Sequence, residues 1–394
     1  MKSSPQIHEA ETHKKKMGIP EIAQLAKVSI GTVDRALHAR KGVSKKTRGR
    51  ILQIAKAVGY TPNLAARMLS VGRPNVKIGV CIPRGAHYFY DPLRDGILDE
   101  CRRFESIGVQ VDYRPIPKIE VGECERLKEM LETDVRAVII TPGNPHCLQP
   151  LIDEAEGRNV RVVCVASDSP GSSRSSVVCV DPELGGRLAA ELMGSFVGPG
   201  AKTAVITGTL HTEDHRRKTE GFAAMFPQYC ENGQVIDVLE GHADEDETFE
   251  KCRDLLAAYP DIAGLYVNIA IALPVCYALK ACGLAGKVRL ITTDLFPEMV
   301  PFFEKGTIHA SIYQRPYIQG QTAVRLIVEN IFQGIPIPVT HFLNPGIVMR
   351  SNLYLFRETR HLQPVSRQLS STGSEMALAA PGVGLKPTKQ NLIG

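Results

Sequence analysis

The stretch PEIAQLAKVSIGTVDRAL, residues 20–37, reads as two short helices joined by a sharp turn. Pro20 suits the first turn of a helix, where its missing N–H costs nothing, and Glu21 complements the positive end of the helix dipole. Ile22, Ala23, Leu25 and Ala26 supply an apolar face. After Lys27 and Val28, Ser29 is a good N-cap for a second helix running through Thr32, Val33, Arg35 and Ala36 to Leu37. That is helix-turn-helix spacing. Further on, residues 38–42 form a loop, and Ser44 caps a third helix in which Ile51, Leu52, Ile54, Ala55 and Val58 recur at helical period before Gly59 ends it. Three such helices can share one small core.

In a helix-turn-helix, the second helix lies in the major groove of DNA with its N-terminal residues at the base edges. Ser29, Ile30, Gly31 and Thr32 are therefore placed beside the bases, with Arg35 one turn on as the candidate guanine contact. Lys41, Lys45, Lys46, Arg48 and Arg50 have the character of phosphate clamps, although any one of them reads equally well as a solvated helix face. Charge supports a polyanion partner. The chain of 394 residues carries a net +5, but residues 1–73 hold fifteen Lys and Arg against four acids, a net +11, while the remainder has 32 basic and 38 acidic groups, a net −6. A compact cationic segment beside an acidic body gains from counterion release on DNA.

Tyr60 to Ser70 reads as a separate short helix, with Pro62 near its first turn and Gly72 past its end. It is too short to be stable alone, so it should order only when DNA or a partner chain buries Leu64, Met68 and Leu69. The run Ile22 to Leu37, with Gly42-Val43-Ser44 and Gly59-Tyr60-Thr61-Pro62-Asn63, closely resembles the head of the lactose-repressor (LacI/GalR) family. The resemblance implies that Ile30, Gly31 and Arg35 face bases and that Asn63, Ala66 and Leu69 belong to the hinge region contacting DNA. Paired Leu69 side chains would wedge into the minor groove, unstacking one step so that bent DNA meets more protein. Asp34 departs from the serine common there, and Gly31 has no side chain to read with.

From Val76 onward, short β-branched runs (76–82, 135–141, 160–165, 202–207, 263–267, 288–292 and 308–312) alternate with amphipathic stretches at 92–107, 183–197, 214–226, 245–259 and 316–333. Such alternation means parallel sheets covered on both faces, with ligands bound beyond the C-terminal strand ends. The segments just past the strands are polar or aromatic: Arg84 to Asp91, Thr141 to Asn144, Ser167-Asp168, His211 to Lys218, Asn268, Asp294 and Gln314. This part resembles the periplasmic sugar-binding proteins, especially the ribose-binding type, over nearly its full length. By that resemblance Phe89 and Tyr90, with His87 just before them, stack on a sugar ring. Asn268, Asp294 and Gln314 then hydrogen-bond hydroxyls, and Lys218 stands where many relatives have arginine. The chemistry is apt, since a carbohydrate offers hydroxyls to Asp, Asn and Gln and a C–H face to aromatics. Thr141 and Asp168 complete the candidate effector set. Read alone, Phe89 and Tyr90 also suit a core, and Asp294 can cap the helix after it.

The expected fold is an all-α helix-turn-helix head (17–61), a hinge helix and linker (62–74), and a two-lobed, type I periplasmic-binding-protein-like α/β body with parallel sheets (75–358). Residues 1–16 and the Ser-, Gly- and Pro-rich tail 359–394 read as disordered extensions. His211 and His215 lack the glutamate placement of a zinc-protease motif, Gly198 to Lys202 lacks the Gly-Lys-Ser/Thr ending of a phosphate loop, and there is no nucleophile elbow. The ten cysteines are scattered without a Cys-x-x-Cys pair and read as reduced. No enzyme, cofactor or metal is therefore expected. No secretion signal or membrane span is visible, which implies the cytoplasm. The tail has no leucine heptads, so a homodimer is expected rather than a zipped tetramer. The sum is a repressor of double-stranded operator DNA controlled by a sugar-like effector, with a purine, polyol or partner protein as the alternative effector.

Overall fold

The computed structural model describes residues 18–37, 42–57 and 75–357. The expectations for residues 1–16, Lys41, the hinge with Asn63, Ala66 and Leu69, and the tail from 359 lie outside those residues. The head is built from α1 (Ile19–Ala26), α2 (Ile30–Leu37) and α3 (Lys45–Ala57). Lys27 adopts a left-handed conformation (φ 50°) that turns the chain between α1 and α2. The Thr32 N–H donates to Ser29 Oγ at 3.2 Å, so the cap read from sequence closes the first turn of α2. Ile22, Ala26, Val33, Ala36, Ile51 and Ala55 bury together as the core of this small unit.

The body has two lobes, each a six-stranded sheet. The first lobe runs β1 (Val76–Cys81), α4 (His87–Arg103), β2 (Val109–Tyr113), α5 (Glu123–Leu131), β3 (Val135–Ile140), α6 (Pro145–Gly157), β4 (Arg161–Val165) and β5 (Ser176–Val180). The second runs α7 (Pro182–Phe196), β6 (Lys202–Thr207), α8 (Glu213–Tyr229), β7 (Gln234–Glu240), α9 (Glu245–Ala258), β8 (Ile262–Val267), α10 (Leu273–Ala281), β9 (Arg289–Thr293), α11 (Val300–Glu304) and β10 (Ala310–Tyr313). The chain then returns through α12 (Pro316–Gln333) to β11 (Thr340–Leu343) at the edge of the first sheet. It crosses once more to β12 (Gly346–Val348) on the second sheet and ends in α13 (Leu353–Arg357). All pairings are parallel except β12 on β10. Three crossings thus link the lobes, near Asp181, Arg315 and Asn344, and the last two are tied where Arg315 Nε donates to Asn344 O at 2.9 Å.

The strand sequences explain the layering. Val76, Ile78, Val80 and Ile82 point into one core with α4 and α12, while Cys81 points into the opposite core beneath α5 and α6. Period-two side chains that are apolar on both faces demand helices on both faces. The sequence reading missed β2, β5, β7, β11 and β12 and the helices α5, α6, α10, α11 and α13. It also began α4 at residue 92, where a proline suits a first helical turn. In fact Pro92 lies inside the helix. Burial of Phe89 and the stack of Tyr88 on Phe296 draw the preceding turn into helical conformation. Among the described residues no helix is long and apolar enough to cross a membrane.

Candidate functional site

A cavity lies between the lobes, lined by segments that follow strands in both sheets. Phe89, Tyr90, Thr141, Lys218, Asn268, Asp294 and Gln314 all line it. His87 and Asp168 do not. His87 is exposed at the start of α4, its ring tilted against that of Tyr88. Asp168 is turned away by Arg174, whose Nη2 donates to Asp168 Oδ2 at 2.6 Å. An adjacent guanidinium captures a short carboxylate more readily than a cavity does, and nothing in the local sequence revealed that pairing.

The polar side of the cavity is one bonded chain. Lys218 Nζ donates to Asp214 Oδ2 and to Gln314 Oε1, both at 2.7 Å, and Gln314 Nε2 donates to Asp294 Oδ2 at 2.7 Å. The Gln314 backbone N–H adds a bond to Asp294 Oδ1 at 3.0 Å. Asn268 Nδ2 donates to His215 O at 3.2 Å and to Thr219 Oγ1 at 2.9 Å. A backbone carbonyl can only accept, so the amide orientation is determined and Asn268 Oδ1 is left free to accept. Asn268 Oδ1, Asp214 Oδ1 and Thr141 Oγ1 are buried without a hydrogen-bond partner. Unpaired buried acceptors are costly, and a hydroxyl-bearing ligand relieves that cost by donating to them.

Charge in the site is set by burial. Burial pushes the Asp294 carboxyl up to about 6, a rise that Lys218 and the two Gln314 bonds oppose. Burial likewise pushes His215 down to about 4, so its ring is neutral near pH 7. Lys218 is held at its depth by backbone contact between two helices: a Cβ on Gly186 in α7 would lie 2.1 Å from the Lys218 carbonyl oxygen, so only glycine lets α7 approach α8 this closely.

The sequence reading left Asp214, His215 and Ser167, which line the cavity, out of its effector-binding set, although all three sat in segments singled out as polar. Asp214 stands four residues before Lys218 on one helix face, a spacing that favours an ion pair and was the available signal. It also missed the backbone. Ala86, Ala166, Ala243 and Asp294 line the cavity with φ of 48°, 66°, 54° and 65°. Non-glycine residues in this left-handed region are strained, and such strain gathers at functional sites. The cleft is bridged by cross-lobe contacts. Tyr88 stacks on Phe296 with ring centroids 3.8 Å apart, and Thr212 Oγ1 donates to Gly143 O at 3.1 Å.

In the head, Ser29, Ile30, Gly31 and Arg35 are exposed along the start and outer face of α2, as is Lys45 at the start of α3. Thr32 is half-buried; its hydroxyl bonds with Ser29 Oγ at 2.9 Å and accepts from Arg35 Nη2 at 3.4 Å. Arg50 differs from the phosphate-clamp reading, because its Nη2 donates to Ala26 O at 2.7 Å and staples α3 to the end of α1.

Comparison with known proteins decides the family. Residues 18–63 match the bacterial regulatory proteins of the lacI family, and residues 78–334 match the periplasmic binding protein domain. The chain is a lacI-family DNA-binding regulator with a periplasmic-binding-protein body. The regulator is 27% identical over 273 residues to catabolite control protein A of Priestia megaterium, covering 68% of this chain and 78% of that one. It is 23% identical over 264 residues to the ribose import binding protein RbsB of Bacillus subtilis, covering 66% and 84%. Among solved structures it resembles a Burkholderia graminis ABC-transporter solute-binding protein in complex with D-arabinose, with TM-score 0.66, 22% identity and coverage of 71% and 97%. A glucose-galactose binding protein of Geobacillus stearothermophilus gives TM-score 0.65, 24% identity and coverage of 71% and 99%. At these identities the structural likeness establishes the fold of the regulator's body.

Proposed function

We propose that this regulator is a cytoplasmic, homodimeric repressor whose cleft takes a neutral sugar, or a closely related polyol, as effector. The carrying observation is the set of buried acceptors without partners, Asp214 Oδ1 and Asn268 Oδ1, in a cavity walled on another side by Phe89 and Tyr90. A pyranose or furanose matches both, donating hydroxyl protons to the acceptors and laying C–H bonds on the rings. Neutrality follows from charge. The lining sets Asp214 and Asp294 against Lys118 and Lys218, and Lys218 is already bonded to Asp214 and Gln314, so the cavity has no excess positive charge to favour a phosphate or a sugar acid. The names of its relatives, with ribose, arabinose, glucose and galactose among them, favour the same class.

DNA reading is assigned to Ser29, Ile30, Gly31, Thr32 and Arg35, with Lys45 on phosphate and the hinge residues Asn63, Ala66 and Leu69 at the operator centre. Two copies would present paired α2 helices to a pseudo-palindrome. Whatever effector closes the lobes, linkage requires that DNA change its affinity by the same factor.

The test is thermal melting of the full-length protein across neutral pentoses, hexoses, polyols, sugar phosphates and nucleobases. A neutral sugar should raise the midpoint in a saturable way, Asn268→Ala should lose the rise, and the same sugar should release the protein from operator DNA. A midpoint raised only by a sugar phosphate or a nucleobase overturns the neutral-sugar assignment and leaves the DNA-binding head as it stands.

A further inference from the structure

Two cysteines outside the cleft's bonded chain stand together at its rim. Cys124 is the second residue of α5 and is buried, whereas Cys147 lies in the first turn of α6 and is exposed. Their thiols are neighbours, close enough to interact. The juxtaposition is built rather than incidental, because the residue before Cys124 clamps the start of α6. The Gly143 N–H donates to Glu123 Oε2 at 2.9 Å and the Asn144 N–H to Glu123 Oε1 at 2.7 Å. Asn144 in turn caps α6 by accepting from the Cys147 N–H at 3.2 Å. A buried bidentate carboxylate thus pins two helix N-termini side by side with a cysteine in the first turn of each.

Of the ten cysteines, eight are buried and only Cys147 and Cys282 are exposed. Cys147 therefore combines access from solvent with a thiol neighbour. We propose that Cys124 and Cys147 are a redox-modification site, in which hydrogen peroxide converts the pair to a disulfide and a small thiol reverses it. In the first step the Cys147 sulfur attacks one peroxide oxygen, the O–O bond breaks, and one water leaves, with Cys147 now a sulfenic acid. In the second the Cys124 sulfur attacks the Cys147 sulfur, the S–O bond breaks, and the Cys124 proton departs with the hydroxyl as a second water. Two thiols are oxidised and one peroxide is reduced to two waters. Burial, with Cys147 beside it, pushes the Cys124 thiol up to about 12, so the first attack falls to the exposed Cys147.

The position gives the bond a consequence. The segment between the two cysteines includes Thr141, which lines the cavity, and Gly143, whose carbonyl accepts the cross-lobe bond from Thr212. A covalent tie between α5 and α6 holds that rim in one arrangement, so effector binding and oxidation should be coupled.

The test is peptide mapping of the full-length protein after peroxide treatment, alkylation and trypsin under non-reducing conditions. The expected result is a linked pair of peptides, residues 119–126 with 137–158, that separates on reduction, is absent from Cys147→Ser and from Cys124→Ser, and persists in Cys282→Ser. Recovery of both peptides as alkylated thiols, or of Cys147 as a sulfinic acid with Cys124 alkylated, overturns the proposal. Mapping the band that runs as a single chain on a non-reducing denaturing gel separates an intramolecular bridge, which is expected there, from crosslinking between copies, which would overturn the proposal.

Discussion

The head and the cleft both carry charged side chains, but they place them in opposite solvents. Arg35 and Lys45 stand in water, where charge adds little to folding and is free to meet phosphates and bases. Asp214, Lys218, Asp294 and Gln314 are all buried, where each charge must be answered by the next. The same residue types therefore serve different ends: in the head they are available to a partner at little cost to stability, while in the cleft they tie the ends of β9 and β10 to α8 and leave selected acceptors open.

The sharpest way to break this contrast is Lys218→Met. Removing the cation strands Asp214 and takes away one of the bonds on Gln314, and the loss of one partner from a buried ion pair costs about 3–5 kcal/mol. Urea unfolding of the body should show a loss of that size. An unchanged unfolding midpoint would mean that water reaches the pair and that the cleft is not the low-dielectric site described.

A second test uses pH. The folded value of Asp294, about 6, lies above the ordinary carboxylate value near 4, so its contribution to stability is present at low pH and is lost as pH rises through 6. The folded value of His215, about 4, lies below its ordinary 6.5, so its contribution is present above 6.5 and is lost as pH falls through 4. The two nearly offset each other across one window. Asp294→Asn should remove the first and uncover the second, so that the variant gains on the order of 3 kcal/mol between pH 4 and 6.5 while the parent changes much less. Chemical unfolding at a series of pH values reads the difference, and parallel curves for the two proteins would refute it.

In the head the effect should appear in binding. Arg35→Ala is expected to leave stability within about 0.5 kcal/mol, since the side chain is exposed and its bond to Thr32 is long. Operator affinity should fall by about 1–3 kcal/mol with relaxed preference at one base pair, measured by fluorescence anisotropy on a set of operator variants. Loss of affinity that is uniform across sequences would reassign Arg35 to a phosphate.

These regions also differ in how far the sequence discloses them. The head is read from a continuous stretch, because a Pro at N1, a Ser cap and apolar residues at helical spacing all act within a few residues of each other. The cleft draws on segments from Ala86 to Gln314, and strand ends are visible from period-two runs, which is why Asn268, Asp294 and Gln314 were found. What stays hidden depends on long-range geometry. Alanine carries no mark of positive φ, so Ala86, Ala166 and Ala243 look like ordinary helix formers until the fold holds them otherwise. Asp168 looks like a ligand until Arg174 is seen beside it, and β11 and β12 follow a proline-rich connection whose crossings only tertiary contacts define.

The smallest effect separates two basic residues that sequence alone treats alike. Arg50→Ala removes the bond to Ala26 O and should cost about 1 kcal/mol of head stability, with the salt dependence of DNA binding unchanged. Lys45→Ala should leave stability unaltered and lower the salt slope by about one, the signature of a lost phosphate contact. If both variants instead lower the slope equally and neither affects unfolding, Arg50 exchanges its intramolecular carbonyl for a phosphate on binding. The head would then resemble the cleft in holding a bonded group in reserve for its ligand, and the division between exposed charge for partners and bonded charge for structure would have to be drawn within α3 and not between the two regions.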